Sequence, residues 1–331
     1  MTPPGDRRAR DGRPLELELR GPAGEPVDLW RTLVSHGLAF LAPSLPDEAA
    51  RTLDVTLAGP EQPRTVRLAG ATQGDRPVVR LLPADGGPDW TAAERSRFTG
   101  VLRRILCLDD DLSGFYERAA DDPALAWVTR GAGRLLRSPT VFEDVIKTVC
   151  TTNCPWSATV RMTEALVREL GVRAPGAAAG DVRGRAFPTP AAMAGAGDDF
   201  YREVARAGYR GPRLRAIAAA VAAGELDLEG LLPGAPDPLP DGEAERRLLA
   251  LPGIGPYAAA HVMLLLGRPR RLVLDSWTRP KYARLQGRPP GRLIADRTIE
   301  RRFRRYGRYA GLAFWLTVTG DWVDAEGAGI R

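Results

Sequence analysis

Residues Leu251 to Asp275 read LPGIGPYAAAHVMLLLGRPRRLVLD, with Gly253 and Gly255 bracketing Ile254 between two helical patterns. The upstream pattern, Glu243–Leu251, is charged and leucine-bearing. Pro252 ends it, because the residue before a proline is pushed out of the helical region. Glycine lets the backbone turn tightly and come close to a ligand. Pro256 falls where the next helix, Pro256–Leu266, begins, the one helical position where a missing N–H costs nothing. The turn therefore delivers a helix N-terminus with exposed amides, which suits a phosphate. Asp275 stands twenty residues beyond Gly255.

This string resembles the helix-hairpin-helix of the DNA glycosylase (HhH-GPD) superfamily, to which endonuclease III belongs. The resemblance implies a hairpin, here Gly253 and Gly255, that grips the DNA backbone, and an Asp, here Asp275, that serves base excision. The bland alternative is a turn between two ordinary core helices, with Asp275 capping a third.

Composition is compatible with a DNA partner. The chain has 331 residues, enough for two or three domains with real cores, and a net charge of +6. Its basic side chains are almost all arginine; the lysines are Lys147 and Lys281. Arginine richness also follows from a GC-rich genome and decides little. Cys107, Cys150 and Cys154 make no disulfide framework. A reduced compartment follows, and the expected setting is a bacterial cytoplasm, at the nucleoid. No apolar run approaches the roughly eighteen residues of a membrane span. Residues 1–13, polar and arginine-bearing, read as a disordered tail.

The expected fold class is α+β: an antiparallel sheet domain over residues 14–88, then a mostly helical region over 89–331. Leu15–Leu19, Leu53–Leu57 and Thr65–Leu68 alternate with period two, and a short helix is expected around Leu29–His36. Thr91 and Glu94 form a capping box ahead of a stripe of Phe98, Val101, Leu102, Ile105 and Leu106. Helices are expected at Asp111–Ala120, Thr140–Thr151, Ser157–Leu170, Asp198–Ala207, Gly211–Ala223, Ser276–Leu285, Asp296–Tyr306 and Tyr309–Leu316, besides the hairpin pair within 243–266. The loops 171–190 and 230–242 are long enough to be mobile or functional. A leading sheet before a helical body resembles the 8-oxoguanine and bacterial 3-methyladenine branches of the superfamily. Endonuclease III instead carries a four-cysteine iron–sulfur cluster near its C-terminus. No cysteine follows Cys154 here, so no such cluster is expected.

Cleaving an N-glycosidic bond passes through an oxocarbenium-like sugar, and negative charge placed beside it accelerates the step. Asp275 is the candidate for that charge and for guiding water. Its alternative role is N-cap of the following helix. In bifunctional relatives a lysine two residues after the second hairpin glycine forms a Schiff base with the sugar. This chain has Tyr257 there, and neither lysine is an obvious substitute, so the resemblance implies a monofunctional hydrolase.

Tyr257 and His261 are four apart and share a helix face. With Trp277 they are candidate walls of a base pocket, each also readable as ordinary core. Cys150-Thr-Thr-Asn153 resembles the family segment whose Asn fills the gap left by a flipped base; a C-cap is the alternative for Asn153. Gly208-Tyr-Arg210 resembles a segment whose arginine reads the opposite base, which makes Arg210 a candidate DNA contact. Cys150 and Cys154 read as packing cysteines.

The expected function is a monofunctional DNA N-glycosylase that flips and excises a damaged base, an alkylated purine, from double-stranded DNA to start base excision repair. The alternatives are an 8-oxoguanine-type glycosylase and a non-catalytic binder of DNA structure. A monomer is expected, with no membrane partner and no cofactor beyond a monovalent cation, Na+ or K+, at the hairpin backbone.

Overall fold

The computed structural model of the chain describes residues 14–59, 61–84 and 90–324. The expected tail 1–13 and the expected boundary at 88 lie outside the described residues. Five strands, β1 (Leu15–Glu18), β2 (Ser44–Asp47), β3 (Thr52–Leu57), β4 (Arg64–Gln73) and β5 (Arg76–Pro83), form one antiparallel sheet in the order β1-β5-β4-β3-β2. Their register sets Leu53 against Leu68, Val55 against Val66 and Leu68 against Leu81. Period-two alternation thereby collects the branched residues on one buried face.

Helix α1 (Leu29–Leu33) and helix α2 (Ala92–Ile105) cover that face. The capping box at the start of α2 forms as expected: the Glu94 amide donates to Thr91 Oγ1 at 3.1 Å, and the Thr91 amide donates to Glu94 Oε2 at 2.8 Å. Phe98, Leu102 and Ile105 then enter the sheet's core, so α2 packs with the strands although its composition resembles the helices that follow.

The remaining helices are α3 (Ser113–Ala120), α4 (Val141–Thr151), α5 (Trp156–Leu170), α6 (Pro190–Gly195), α7 (Arg210–Ala222), α8 (Asp241–Leu249), α9 (Pro256–Leu265), α10 (Thr278–Leu285), α11 (Asp296–Phe303), α12 (Ala310–Thr319) and α13 (Asp321–Asp324). They build two apolar clusters. One gathers α4 to α8, and the other gathers α3 and α10 to α12. Helix α9 lies between them and is buried from Ala258 through Leu265. It gives Ala258, Ala259, Val262 and Met263 to the first cluster and Ala260, Leu264 and Leu265 to the second. A helix apolar on all sides is what a central position requires.

Two expected helices are shorter than the sequence suggests. Asp198–Ala207 is a single π-type turn, Phe200–Val204, followed by Arg206 with a left-handed φ of 51°. Asp296–Tyr306 stops as α11 at Phe303 and passes into a 3-10 turn, Arg304–Tyr309, broken at Gly307 with φ 59°. In both places a residue at positive φ interrupts the helical ladder, which hydrophobic spacing does not register.

The sheet region is fastened to the helices by buried polar contacts. Arg134 Nη2 meets Glu25 Oε1 at 2.8 Å, and the Leu136 amide donates to Ser35 Oγ at 2.9 Å. Trp315 Nε1 of α12 donates to the Ser35 carbonyl at 2.9 Å. These contacts carry the segment after α1 to the middle of the helical body. No helix among the described residues is long and apolar enough to cross a membrane.

Candidate active site

The site grows from the hairpin between α8 and α9. The Ile254 amide donates to the Leu251 carbonyl at 3.1 Å and closes the turn. Gly253 has φ 91°, and a Cβ there would lie 3.1 Å from Arg213 Cδ and 3.5 Å from Val149 Cγ1. Conformation and close approach both demand glycine. Gly255 differs: its φ of −99° and ψ of −177° are extended, and a Cβ would meet nothing within 4 Å. Its missing side chain leaves open the space in front of the first turn of α9. Among the described residues the amides of Gly253, Gly255 and Tyr257 donate no hydrogen bond, and the carbonyls of Pro252, Gly253 and Ile254 accept none. Free amides suit an anionic oxygen, and free carbonyls suit a hard cation.

Tyr257 follows in the first turn of α9 and packs against both helical clusters. Its hydroxyl lies 3.4 Å from Thr151 Oγ1 at the end of α4. Burial, reinforced by the negative charge of Asp275, pushes its phenol up to about 12, so it stays neutral at working pH. One turn on, His261 is 6 % exposed, and neither ring nitrogen has a hydrogen-bond partner among the described residues. Its ring lies 6.2 Å from Tyr257, 5.8 Å from Trp315 and 5.8 Å from His36. Burial pushes the His261 imidazole down to about 4.

His36 comes from the segment that Ser35 ties to α12. Its Nε2 lies 2.6 Å from the Leu136 carbonyl, an acceptor only, so Nε2 carries the proton and Nδ1 is left with a bare lone pair. Burial and then the neighbouring His261 push His36 down to about 3. Next in the chain, Gly37 lets the first residue of α5 approach; a Cβ there would be 3.1 Å from the Trp156 ring.

Asp275 ends the strap from α9 and is half-buried. Its Oδ1 accepts from the Trp277 amide at 2.9 Å and the Thr278 amide at 2.6 Å, and its own amide donates to Thr278 Oγ1 at 2.9 Å. That is a full helix cap, so the bland reading of Asp275 holds for one oxygen. The other, Oδ2, has no hydrogen-bond partner among the described residues. The cap fixes the carboxylate and leaves this oxygen for a ligand. It also displaces the start of α10 to Thr278 from the expected Ser276. Trp277 is 38 % exposed and meets Trp315 at 6.2 Å and Trp322 at 5.5 Å. Trp277 is therefore a surface-reaching wall, continuous through Trp315 with His261 and Tyr257.

Asn153 follows α4, exposed, with a left-handed φ of 57°. It stands two residues after the Thr151 that touches Tyr257, at the rim of the same site. Arg210 behaves otherwise than expected. It is 6 % exposed, and its Nε donates to the Thr152 carbonyl at 2.8 Å, with Nη2 on the same oxygen. It braces the loop that presents Asn153 and does not face solvent, because the turn before α7 points its side chain inward. Its neighbour Tyr209 is 48 % exposed and lies between the Arg210 and Arg213 guanidinium groups.

Both lysines are in ion pairs. Lys147 is buried with Glu143 at 2.7 Å, and Lys281 pairs with Asp321. Cys150 is buried, with its thiol pushed up to about 12 by desolvation, and Cys154 Sγ donates to the Cys150 carbonyl at 3.2 Å.

Ring contacts thus run from Tyr257 through His261 and Trp315 to Trp277, the Tyr257 hydroxyl lies against Thr151 two residues before Asn153, and Arg210 turns inward. Sequence reasoning missed His36 and Trp322. No spacing rule links residue 36 to residue 261; the only hint is that the chain has two histidines. The assembly sets a fixed carboxylate oxygen beside neutral aromatic and imidazole faces, a setting that stabilises developing positive charge.

No protein-family model and no curated protein matches the chain. Solved structures do. The 3-methyladenine DNA-glycosylase from Archaeoglobus fulgidus is 20% identical, with TM-score 0.68, over 94% of this chain and 99% of that one. MBOgg1 in complex with a low-affinity DNA ligand is 19% identical, with TM-score 0.65, over 92% and 94%. The Clostridium acetobutylicum 8-oxoguanine glycosylase/lyase, bound to double-stranded DNA containing cytosine opposite 8-oxoguanine, is 20% identical, with TM-score 0.63, over 90% and 92%. The chain shares the fold of these 8-oxoguanine and 3-methyladenine DNA glycosylases over nearly its whole length.

Proposed function

We propose that this chain is a DNA N-glycosylase that flips a damaged base from a duplex and hydrolyses its N-glycosidic bond, opening base excision repair. The observation that carries this reading is the free Oδ2 of the capped Asp275, beside Tyr257 and Trp277, on a frame shared with DNA glycosylases.

In the proposed mechanism the free amides of Gly253 and Gly255 hold a backbone phosphate, and the carbonyls of Pro252, Gly253 and Ile254 would hold a Na+ or K+, whose positive charge would strengthen that grip. Asn153 enters the stack left by the flipped nucleotide, on a loop braced by Arg210. The base lies against Tyr257, His261 and Trp277. As the bond breaks, the sugar gains positive charge, and Asp275 Oδ2 stabilises it and orients the attacking water. The base leaves and an abasic site remains.

Water serves as nucleophile because position 257 is a tyrosine held neutral and both lysines are tied to carboxylates. The strand therefore stays intact after base release. An alkylated purine is the favoured substrate. Such bases often carry positive charge, and the site offers π faces and neutral imidazoles.

The test uses purified protein on duplexes carrying 3-methyladenine-type, 8-oxoguanine, hypoxanthine and uracil lesions, with and without alkali. Breaks that appear only after alkali, greatest for the alkylated purine, are expected. Efficient borohydride trapping through a lysine would overturn the hydrolytic mechanism. Binding to every duplex with release from none would instead make the protein a DNA-structure binder.

A further inference from the structure

The chain's positive charge is concentrated in one place. Residues 278–308 hold eleven basic and two acidic side chains, a net +9, whereas the whole chain is +6. The other 300 residues are therefore net −3. A genome-wide bias toward arginine would spread along the sequence, so it does not account for this. Nor do ion pairs. In this stretch Arg279 is bound to Asp296, Lys281 to Asp321 and Arg305 to Asp122. The seven arginines from Arg284 to Arg304 are exposed and make no ion pair among the described residues.

Three of these arginines line a groove between the end of α10, the following loop and α11. It comprises two adjoining hollows of about 560 and 400 Å³, sharing Arg288, Pro289, Ile294 and Thr298. Arg288, Arg292 and Arg302 supply its cationic walls, and Tyr282 and Ile294 are less exposed and lie deeper. The hollows are open, and their arginines make no ion pair among the described residues, which suits an extended polyanion better than a folded acidic surface.

We propose that this groove binds the phosphate backbone of the same duplex, away from the lesion. The inference rests on the DNA glycosylase reading above. Helix α10 starts three residues after Asp275 and is eight residues long, so the groove begins about 12 Å beyond the catalytic carboxylate. At about 3.4 Å per base step this is roughly four base pairs from the flipped nucleotide. The hairpin at 253–255 and the groove at 288–302 would then hold the duplex at two points and bend it between them.

The test is equilibrium binding across a salt series, comparing wild type with Arg288→Gln/Arg292→Gln/Arg302→Gln. Two probes are used: a duplex of about seven base pairs closed by uncharged linkers, which ends short of the groove, and a linear one of about twenty-five, each with a central abasic-site analogue. Each phosphate neutralised adds about 0.9 to the slope of log K against log salt. Wild type is expected to show a slope about 2–3 steeper on the long duplex than on the short one, and the triple variant to lose that increment. A thermal melt guards against misfolding, and single Arg288→Gln and Arg302→Gln variants, each losing about one unit of slope, provide the reading if the triple variant is unstable. Equal slopes for variant and wild type on the long duplex overturn the proposal and leave the glycosylase reading standing. Failure of wild type to bind either duplex sinks the DNA reading itself.

Discussion

The two oxygens of Asp275 differ in their surroundings. Oδ1 caps α10 and Oδ2 remains free, so the carboxylate is positioned by the helix it stabilises. The two histidines form a comparable unit. Both are neutral at pH 7, held at about 3 and about 4 by burial, against an ordinary value of 6.5. An imidazole whose folded pKa is depressed favours the folded state only while it is uncharged, because below 6.5 the unfolded chain takes up the proton first. Their contribution is therefore full above pH 6.5 and is lost as pH falls toward 4. Thermal melts from pH 7.5 to 4.5 should show wild type losing stability more steeply than His36→Asn/His261→Asn. Asp144, raised to about 6 by burial, acts in the opposite sense in both proteins and cancels in the comparison. Parallel curves would show that the imidazoles are solvated. His261 was legible in the sequence because it shares a helix turn with Tyr257. His36 was not, because its place depends on Ser35 bonding to Leu136 and Trp315, a long-range contact without period.

The hairpin glycines separate conformation from access. Gly253→Ala, forced into φ 91° and against Arg213, is expected to cost about 1–2 kcal/mol of stability in denaturant unfolding. Gly255→Ala keeps an allowed extended backbone and loses only a modest capping preference, about 0.5–1 kcal/mol. Its methyl group would occupy the space before the free amides, and duplex affinity should fall roughly tenfold, or about 1.4 kcal/mol. Unchanged affinity would remove the phosphate from that position. A second contact bears on the strap between α9 and Asp275. A Cβ on Gly311 of α12 would lie 2.0 Å from the Arg271 carbonyl and 2.9 Å from that of Pro269. Gly311→Ala should cost about 1–3 kcal/mol and displace the strap, lowering turnover beyond the loss of folded protein. The hairpin was legible because glycine and proline punctuate it. Most helices were legible from apolar spacing. The break at Gly307 and the π-type turn at Phe200 were not, since both depend on single backbone angles. Arg210 matched a pattern in sequence, but its burial against Thr152 is a property of the packed loop.

Across the whole molecule, two cores meet on α9, and the segment after α1 reaches it through His36. The sheet region sends His36 inward, one helical cluster presents Asn153, and the other presents Asp275 and the tryptophans. The α+β plan was readable from patterning, and the likeness to solved glycosylases spans nearly the full chain. The packing of α2 on the sheet was not readable, because its apolar stripe names a buried face without naming its partner. The most direct test is single-turnover base release from a duplex bearing an alkylated purine, by wild type and by Asp275→Asn, with duplex affinity and thermal stability measured alongside. Asn caps a helix nearly as well as Asp, so folding and binding should persist while release falls by about 10²–10³-fold. Release by Asp275→Asn at the wild-type rate would contradict the account.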